Sequence, residues 1–178
     1  MKRFIRRFIG VLALDAGTFE DIESDRRASV QATAVVLLAC AAGGFAAMSV
    51  TALTTASGFA IGMAATLGAW LVWAMLISAI GARLMPEPQT RSNPSELLRT
   101  IGFAAAPGVF YAFAAMPAAT PFVFALVSAW MIATTVLAVR QALDFRSTGR
   151  AVAVCVVAWL MSVGLTASVG LLFTRSVS

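Results

Sequence analysis

The chain contains no histidine. That removes the Ser-His-Asp hydrolases, the zinc proteases that bind metal through an H-E-x-x-H helix, and haem held by a proximal histidine. It has two cysteines, Cys40 and Cys155, with no C-x-x-C neighbour, so both read as small buried apolar side chains. Charge is scarce as well: 12% of the residues are charged and 60% are apolar. Lysine occurs once, at Lys2, and the other twelve of the thirteen positive residues are arginine. A water-soluble domain of 178 residues cannot hide so large an apolar set, which excludes a soluble enzyme, a secreted disulfide scaffold and a disordered tail.

The few charges are also unevenly placed. They leave three windows without Asp, Glu, Lys or Arg: Ala28 to Ala82, Thr100 to Val139 and Ala151 to Thr174, of 55, 40 and 24 residues. At about 1.5 Å per helical residue these reach roughly 82, 60 and 36 Å, against a hydrocarbon thickness of about 30 Å. The first two windows therefore cross a membrane twice and the third once. The fold class expected is an all-α membrane protein, a five-span bundle with an N-terminal amphipathic interfacial helix. Its organisation is a cytoplasmic segment at 1–28 and a transmembrane domain at 29–174.

Turn chemistry divides the windows. Span one runs from about Ser29 to Val50 and span two from about Phe59 to Ala82, around an uncharged turn with Thr51, Thr54, Thr55, Ser57 and Gly58. Asn93, Pro94 and Glu96 supply an N-cap, a first-turn proline and an N3 acid for span three, which ends near Met116. Pro107 interrupts that span and predicts a kink with exposed carbonyls that neighbours must satisfy. Pro117 and Pro121 bracket the turn into span four, about Ala118 to Val139, and Ser147 or Thr148 opens span five, about Ala151 to Phe173. Counted by side, twelve positive residues share one face and only Arg175 lies opposite, which predicts a cytoplasmic N-terminus and an outside C-terminus.

Before span one, the stretch MKRFIRRFIGVLAL places Phe4, Ile5, Phe8, Ile9, Val11 and Leu12 on one half of a helix and Lys2, Arg3, Arg6 and Arg7 on the other. Four basic residues at about 1 kcal/mol each could hold this helix on an anionic leaflet. The next segment has Thr18 placed as a cap, with Phe19 and Ile22 expected to face the membrane. Its acids Glu20, Asp21, Glu23 and Asp25 lack the spacing of a calcium loop and read as a solvated or salt-bridged face.

No ionisable group lies deep in any span, which argues against proton relays and ion-coupled carriers. Trp70, Trp73, Trp130 and Trp159 fall near the middles of spans two, four and five rather than in interfacial belts. They read either as knobs filling the bundle or as a shared aromatic lining for an apolar ligand. Small residues four apart (Gly58 and Gly62, Ala65 and Ala69, Ala104 and Gly108, Gly164 and Ser168) favour close helix packing. Asp144 is the only acid among Arg140, Arg146 and Arg150 and is expected to pair locally, for instance with Arg140 one helical turn earlier.

Four stretches together resemble the Yip family, multi-spanning membrane proteins named for interaction with Ypt and Rab GTPases, in its compact bacterial form. They are LDAGTFEDIESDRRASVQA from Leu14, LLRTIGFAAAPGVFYAF around Arg99, Gly102 and Pro107, AWMIATTVLAVRQALDF with Trp130, Arg140, Gln141 and Asp144, and STGRAV at Arg150. Their order and spacing, from Leu14 to about Val163, carry the likeness. The resemblance implies a five-span bundle with a cytoplasmic N-terminus and no enzyme activity; eukaryotic relatives are associated with vesicle traffic.

The function expected is a non-catalytic inner-membrane protein that organises membrane or recruits partners through its cytoplasmic face. The alternative is a small-solute or lipid permeation or transfer protein with a pathway between spans two to five. An enzyme acting on lipid headgroups ranks third, because Asp144 and the arginines share a surface with Glu87 and Glu96. The candidate interaction or structural residues are Glu20, Asp21, Arg99, Gly102, Pro107, Trp130, Arg140, Gln141, Asp144 and Arg150. No catalytic residue, metal or cofactor is expected. The expected partners are an anionic cytoplasmic leaflet of a bacterial inner membrane, a protein at that face, and a second copy of the chain; nucleic acid is not among them, because the basic residues sit at span ends without interleaved exposed aromatics.

Overall fold

The computed structural model describes residues 1–50, 56–85, 93–116 and 118–176. Among the described residues every regular element is helical. Two short helices, α1 (Lys2–Leu12) and α2 (Ala16–Ser24), precede α3 (Ala28–Val50) and α4 (Ala56–Ala79), which continues into a π-helical turn at Ile80–Leu84. Then come α5 (Pro94–Ala104), a 3-10 segment (Ala106–Ala115), α6 (Thr120–Ala142) and α7 (Thr148–Ser176). Four of these stretches are long and apolar enough to cross a membrane: Ala28–Met48, Ala56–Leu84, Pro94–Ala115 and Thr120–Ala142. The side chains of Thr51, Thr54, Thr55, Glu87, Pro117, Ser168 and Arg175 lie outside the described residues.

The helices close into a ring. α3 packs on α4 and on the α5 and 3-10 unit, α6 packs on the other side of that unit, and α7 joins α6 back to α4. Large apolar side chains such as Ile61, Leu71 and Met75 of α4 and Phe122, Leu126 and Ile132 of α6 stay exposed, an outer surface suited to lipid. Hydrocarbon gives helices no hydrophobic reason to associate, so close approach and polar ties must hold the ring. Close approach is seen where α3 crosses α4: a Cβ on Gly44 would stand 2.9 Å from the backbone nitrogen of Met63. It recurs at Gly102, whose added Cβ would stand 2.9 Å from Cβ of Ala32. Cys40 and Cys155 are both free and buried, as their sequence setting implies.

The third candidate span changes helix type at its middle, which is how the expected kink at Pro107 is realised. Proline has no N–H to give to a carbonyl four residues back, and Gly108 bonds instead to Ala105 O at 2.8 Å, three residues back. The α-helical partner of the Ala104 carbonyl is thereby lost inside a fully buried stretch, Ile101 to Gly108. The hydroxyl of Thr134 on α6 donates to that carbonyl at 2.8 Å. At the start of the same span Asn93 accepts from Ser95 N at 3.2 Å and donates to Glu96 at 2.7 Å, the expected cap.

The N-terminal helices correct three expectations. Asp15, not Thr18, caps α2, accepting from Gly17 N and Thr18 N, because the turn after α1 places Asp15 one residue before the first helical position. Phe19 and Ile22 do not face lipid; both are wholly buried, in one cluster with Val11 of α1, Val35 of α3, Phe103 of α5 and Ala138 of α6. The apolar arc of α1 is divided, with Phe4, Phe8 and Leu12 packed on that cluster and Ile5 and Ile9 exposed.

Thr134→Val removes the hydroxyl but keeps the shape, leaving the Ala104 carbonyl unsatisfied. We expect a loss of about 1–3 kcal/mol, read by denaturant unfolding in mixed micelles, with Thr134→Ser close to the parent.

Candidate functional site

Most of the described charge lies at the end of the bundle that carries α1, α2, the start of α5 and the end of α6. Its centre is Arg7, expected on the solvent half of α1 and instead 1% exposed. Phe4 lies three residues before it and Val11 four after, so Arg7 shares their face and turns inward with them. Its guanidinium donates from Nε to Asp21 at 2.9 Å, from Nη2 to Asp25 at 2.8 Å and from Nη1 to Gln31 at 3.0 Å. A further bond runs from Nη2 to the backbone carbonyl of Asp21 at 3.3 Å. One side chain thus ties α1 to α2 and to the first turn of α3.

The electrostatics follow. Burial pulls the Arg7 pKa down, but the bonds to Asp21 and Asp25 outweigh it and the net shift is upward. The hydrogen bond from Arg7 is the largest cause holding both Asp21 and Asp25 below the usual carboxylate range. Asp21 also meets Arg6 at 3.4 Å, an exposed pair of little energetic weight. The acidic segment is therefore a salt-bridged face, one of the two readings its spacing left open.

Glu23 behaves oppositely. It is half-buried, and burial first, then repulsion from Asp144 and Glu96, push its carboxyl up to about 7; Arg99 opposes the shift and Glu20 adds to it. The spacing of the acids does not set Glu23 apart from Glu20, Asp21 and Asp25, because its surroundings come from three separate elements. Nearby, Gln141 donates to Glu20 at 3.0 Å, joining α6 to α2. Arg99 is 3% exposed, donates to Ser29 Oγ at 3.5 Å and makes a short bond to the backbone carbonyl of Glu23. Its Nε, like that of Arg140, is buried without a partner.

The structure thus brings Glu20, Asp21, Arg99, Gln141 and Asp144 around α2. α6 ends at Ala142, so Asp144 lies two residues past it, at φ 52°, off the helical register that would set it one turn above Arg140. Ion pairs join Arg6 to Asp21 and Arg7 to both Asp21 and Asp25. Arg150 lies on the first turn of α7, half-buried. Gly102 and Pro107 sit deeper, as a contact with α3 and a change of helix type.

Trp130 does not join the other tryptophans. It stacks on Phe110 at 5.6 Å and donates from Nε1 to Leu12 O at 3.0 Å, capping the last turn of α1. Trp70, Trp73 and Trp159 line one cavity of about 290 Å³, together with Ala39 and Cys40 of α3. Among the described residues no group of three or more His, Cys, Asp and Glu side chains is placed to hold a metal ion.

Long apolar helices around a ring, capped at one end by charged short helices, define a multi-pass membrane protein. Residues 9–169 match the Yip1 domain, nine-tenths of the chain, and the protein belongs to the Yip family. No curated protein and no solved structure matches it.

Two outcomes test this site. Arg7→Ala should release α1, seen as fast amide exchange over residues 2–12, at a cost near about 3 kcal/mol, the low end for a broken buried pair since both acids keep contact with water. The Glu23 carboxyl is raised, so its stabilisation is full below its ordinary value of 4.5 and is lost as pH rises through about 7. Glu23→Gln should flatten the fall in melting temperature across that window, while the loss at acid pH, as Asp21 and Asp25 protonate, persists.

Proposed function

We propose that this protein is a non-catalytic, five-span protein of a bacterial inner membrane, with its N-terminus cytoplasmic and its C-terminus outside, that recruits partners or organises membrane through its cytoplasmic end. Support for the fifth span is the 29-residue helix Thr148–Ser176, whose window from Ala151 to Thr174 is charge-free and reaches roughly 36 Å. An odd number of crossings puts the termini on opposite sides. The arginine excess at the α1 and α2 end supports assigning that end to the cytoplasm.

The observation that carries the recruiting role is the Arg7 clasp. It makes the charged end a built surface rather than a floppy tail: α1 and α2 are fastened over α5 and α6 and present Lys2, Arg3 and Arg6 beside the exposed Ile5 and Ile9. That arrangement suits an interfacial helix on an anionic leaflet, with the acids Glu20, Glu23, Glu96 and Asp144 beside it for a basic protein partner or a second copy of the chain. The permeation alternative draws less support. The segment around Pro107 is buried and tied by Thr134, which makes the kink a packing feature rather than a hinge.

An alkaline phosphatase fused after Ser178 should be active and one fused before Met1 inactive; an inactive C-terminal fusion overturns the five-span topology. Partner proteins co-purified from membranes should be lost in Arg7→Ala and in Glu20→Lys with Asp144→Lys, and kept in Trp73→Phe. A liposome flux that responds to Trp73→Phe while partner capture ignores the charged end would replace this reading with the permeation one.

A further inference from the structure

Beside the charged cluster, α4 and α5 diverge and leave a cleft of about 460 Å³ against α3. Its walls are apolar over most of their height, through Ala32, Val36, Leu37, Leu67, Trp70 and Leu71. Polar groups gather at its upper end, where Ser29, Thr33, Ser95 and Arg99 lie within the first turns of α3 and α5. The mouth opens outward, since Leu37, Leu71 and Leu98 on its rim are all 40% exposed or more.

Arg99 is the unusual member of this wall. A buried guanidinium ordinarily has a carboxylate on it, as Arg7 has two. None of the ion pairs among the described residues includes Arg99; its bonds go to a hydroxyl and a backbone carbonyl, and its Nε has no partner. Glu23 lies near enough to feel its charge without pairing with it. An arginine so placed has donors left for an acidic oxygen, and guanidinium groups suit phosphate geometrically. Deeper in the cleft nothing suits a soluble anion: the wall below Thr33 is hydrocarbon in character, with Trp70 as the only side chain there carrying a polar atom.

We propose that this cleft holds one anionic phospholipid, its phosphate bound by Arg99 with Ser29 and its acyl chain lying along Leu37, Leu67 and Leu71. The first part of one chain fills the cleft and the rest continues into the bilayer past the exposed rim. The cation and the apolar walls are one continuous site, which distinguishes a lipid from free phosphate. The inference requires only that this end of the bundle stand at a headgroup layer, and it holds whichever leaflet that is and whether or not the protein recruits partners.

The full chain, purified in mild detergent and exchanged into nanodiscs of phosphatidylcholine with phosphatidylglycerol, is released into a native mass spectrometer and the retained lipid identified. The parent should keep one phosphatidylglycerol in preference to phosphatidylcholine, and excess inorganic phosphate should not displace it. Arg99→Gln should weaken retention about tenfold or more, the value of a hydrogen bond to a charged group. Because Arg99 is buried, Thr33→Trp provides a second variant that fills the mouth from an exposed position and leaves Arg99 intact; it should exclude the lipid as well. Equal retention of the two lipids by the parent, displacement by phosphate alone, or full retention in Thr33→Trp overturns the proposal. So does a loss in Lys2→Gln with Arg3→Gln as large as that in Arg99→Gln, which would reduce the effect to diffuse surface charge.

Discussion

Inside hydrocarbon no water can accept or donate a hydrogen bond that the chain leaves unmade, so each interruption of a helix must be answered by another part of the protein. Pro107 interrupts the third candidate span, and Thr134, on the next helix, answers it at the Ala104 carbonyl. The same logic operates at the end of α1, where Trp130 meets the carbonyl of Leu12. Both tie α6 to its neighbours. In a ring whose helices gain little from burying apolar surface against one another, such polar ties, with the contacts at Gly44 and Gly102, specify which faces meet.

At the charged end the balance of forces changes, because water is near. Phe19 and Ile22 gain from leaving it, on the order of 1.5–3 kcal/mol each, and their burial holds α2 across the ends of α5 and α6. That placement decides the electrostatics. Arg7 meets two carboxylates and depresses them, whereas Glu23, one residue beyond Ile22, is raised, by burial first and then by Asp144, Glu96 and Glu20 around it. Acids of one short helix are driven in opposite directions, Asp21 by the arginine the fold delivers to it and Glu23 chiefly by burial. Arg99 belongs to the same arrangement: it is held by a backbone carbonyl of α2 instead of a side-chain acid, and that leaves its charge available to the cleft beside it.

The residues singled out from the sequence divide by the range of the interaction they enter. Asn93, Pro94 and Glu96 act within one turn, and their spacing alone told what they do. Pro107 was legible as a kink, since the missing N–H is a property of the residue, but the partner of the freed carbonyl was not, because it arrives from thirty positions away. Arg7 was misplaced by an amphipathic division that assigned every base to the wet side, although its spacing from Phe4 and Val11 puts it on their face. The helical spacing from Arg140 to Asp144 assumed a helix that runs two residues further than α6 does.

What the sequence determined by itself was the class of protein and the position of its long helices, because charge in hydrocarbon is prohibitively costly and its spacing is written in one dimension. What only the tertiary structure decided was how charges meet at the end of the bundle: Arg7 inward on Asp21 and Asp25, Glu23 among other acids, Arg99 at the head of an apolar cleft. Those outcomes depend on contacts between elements far apart in the chain, and no local periodicity records which of several exposed acids a buried arginine will find.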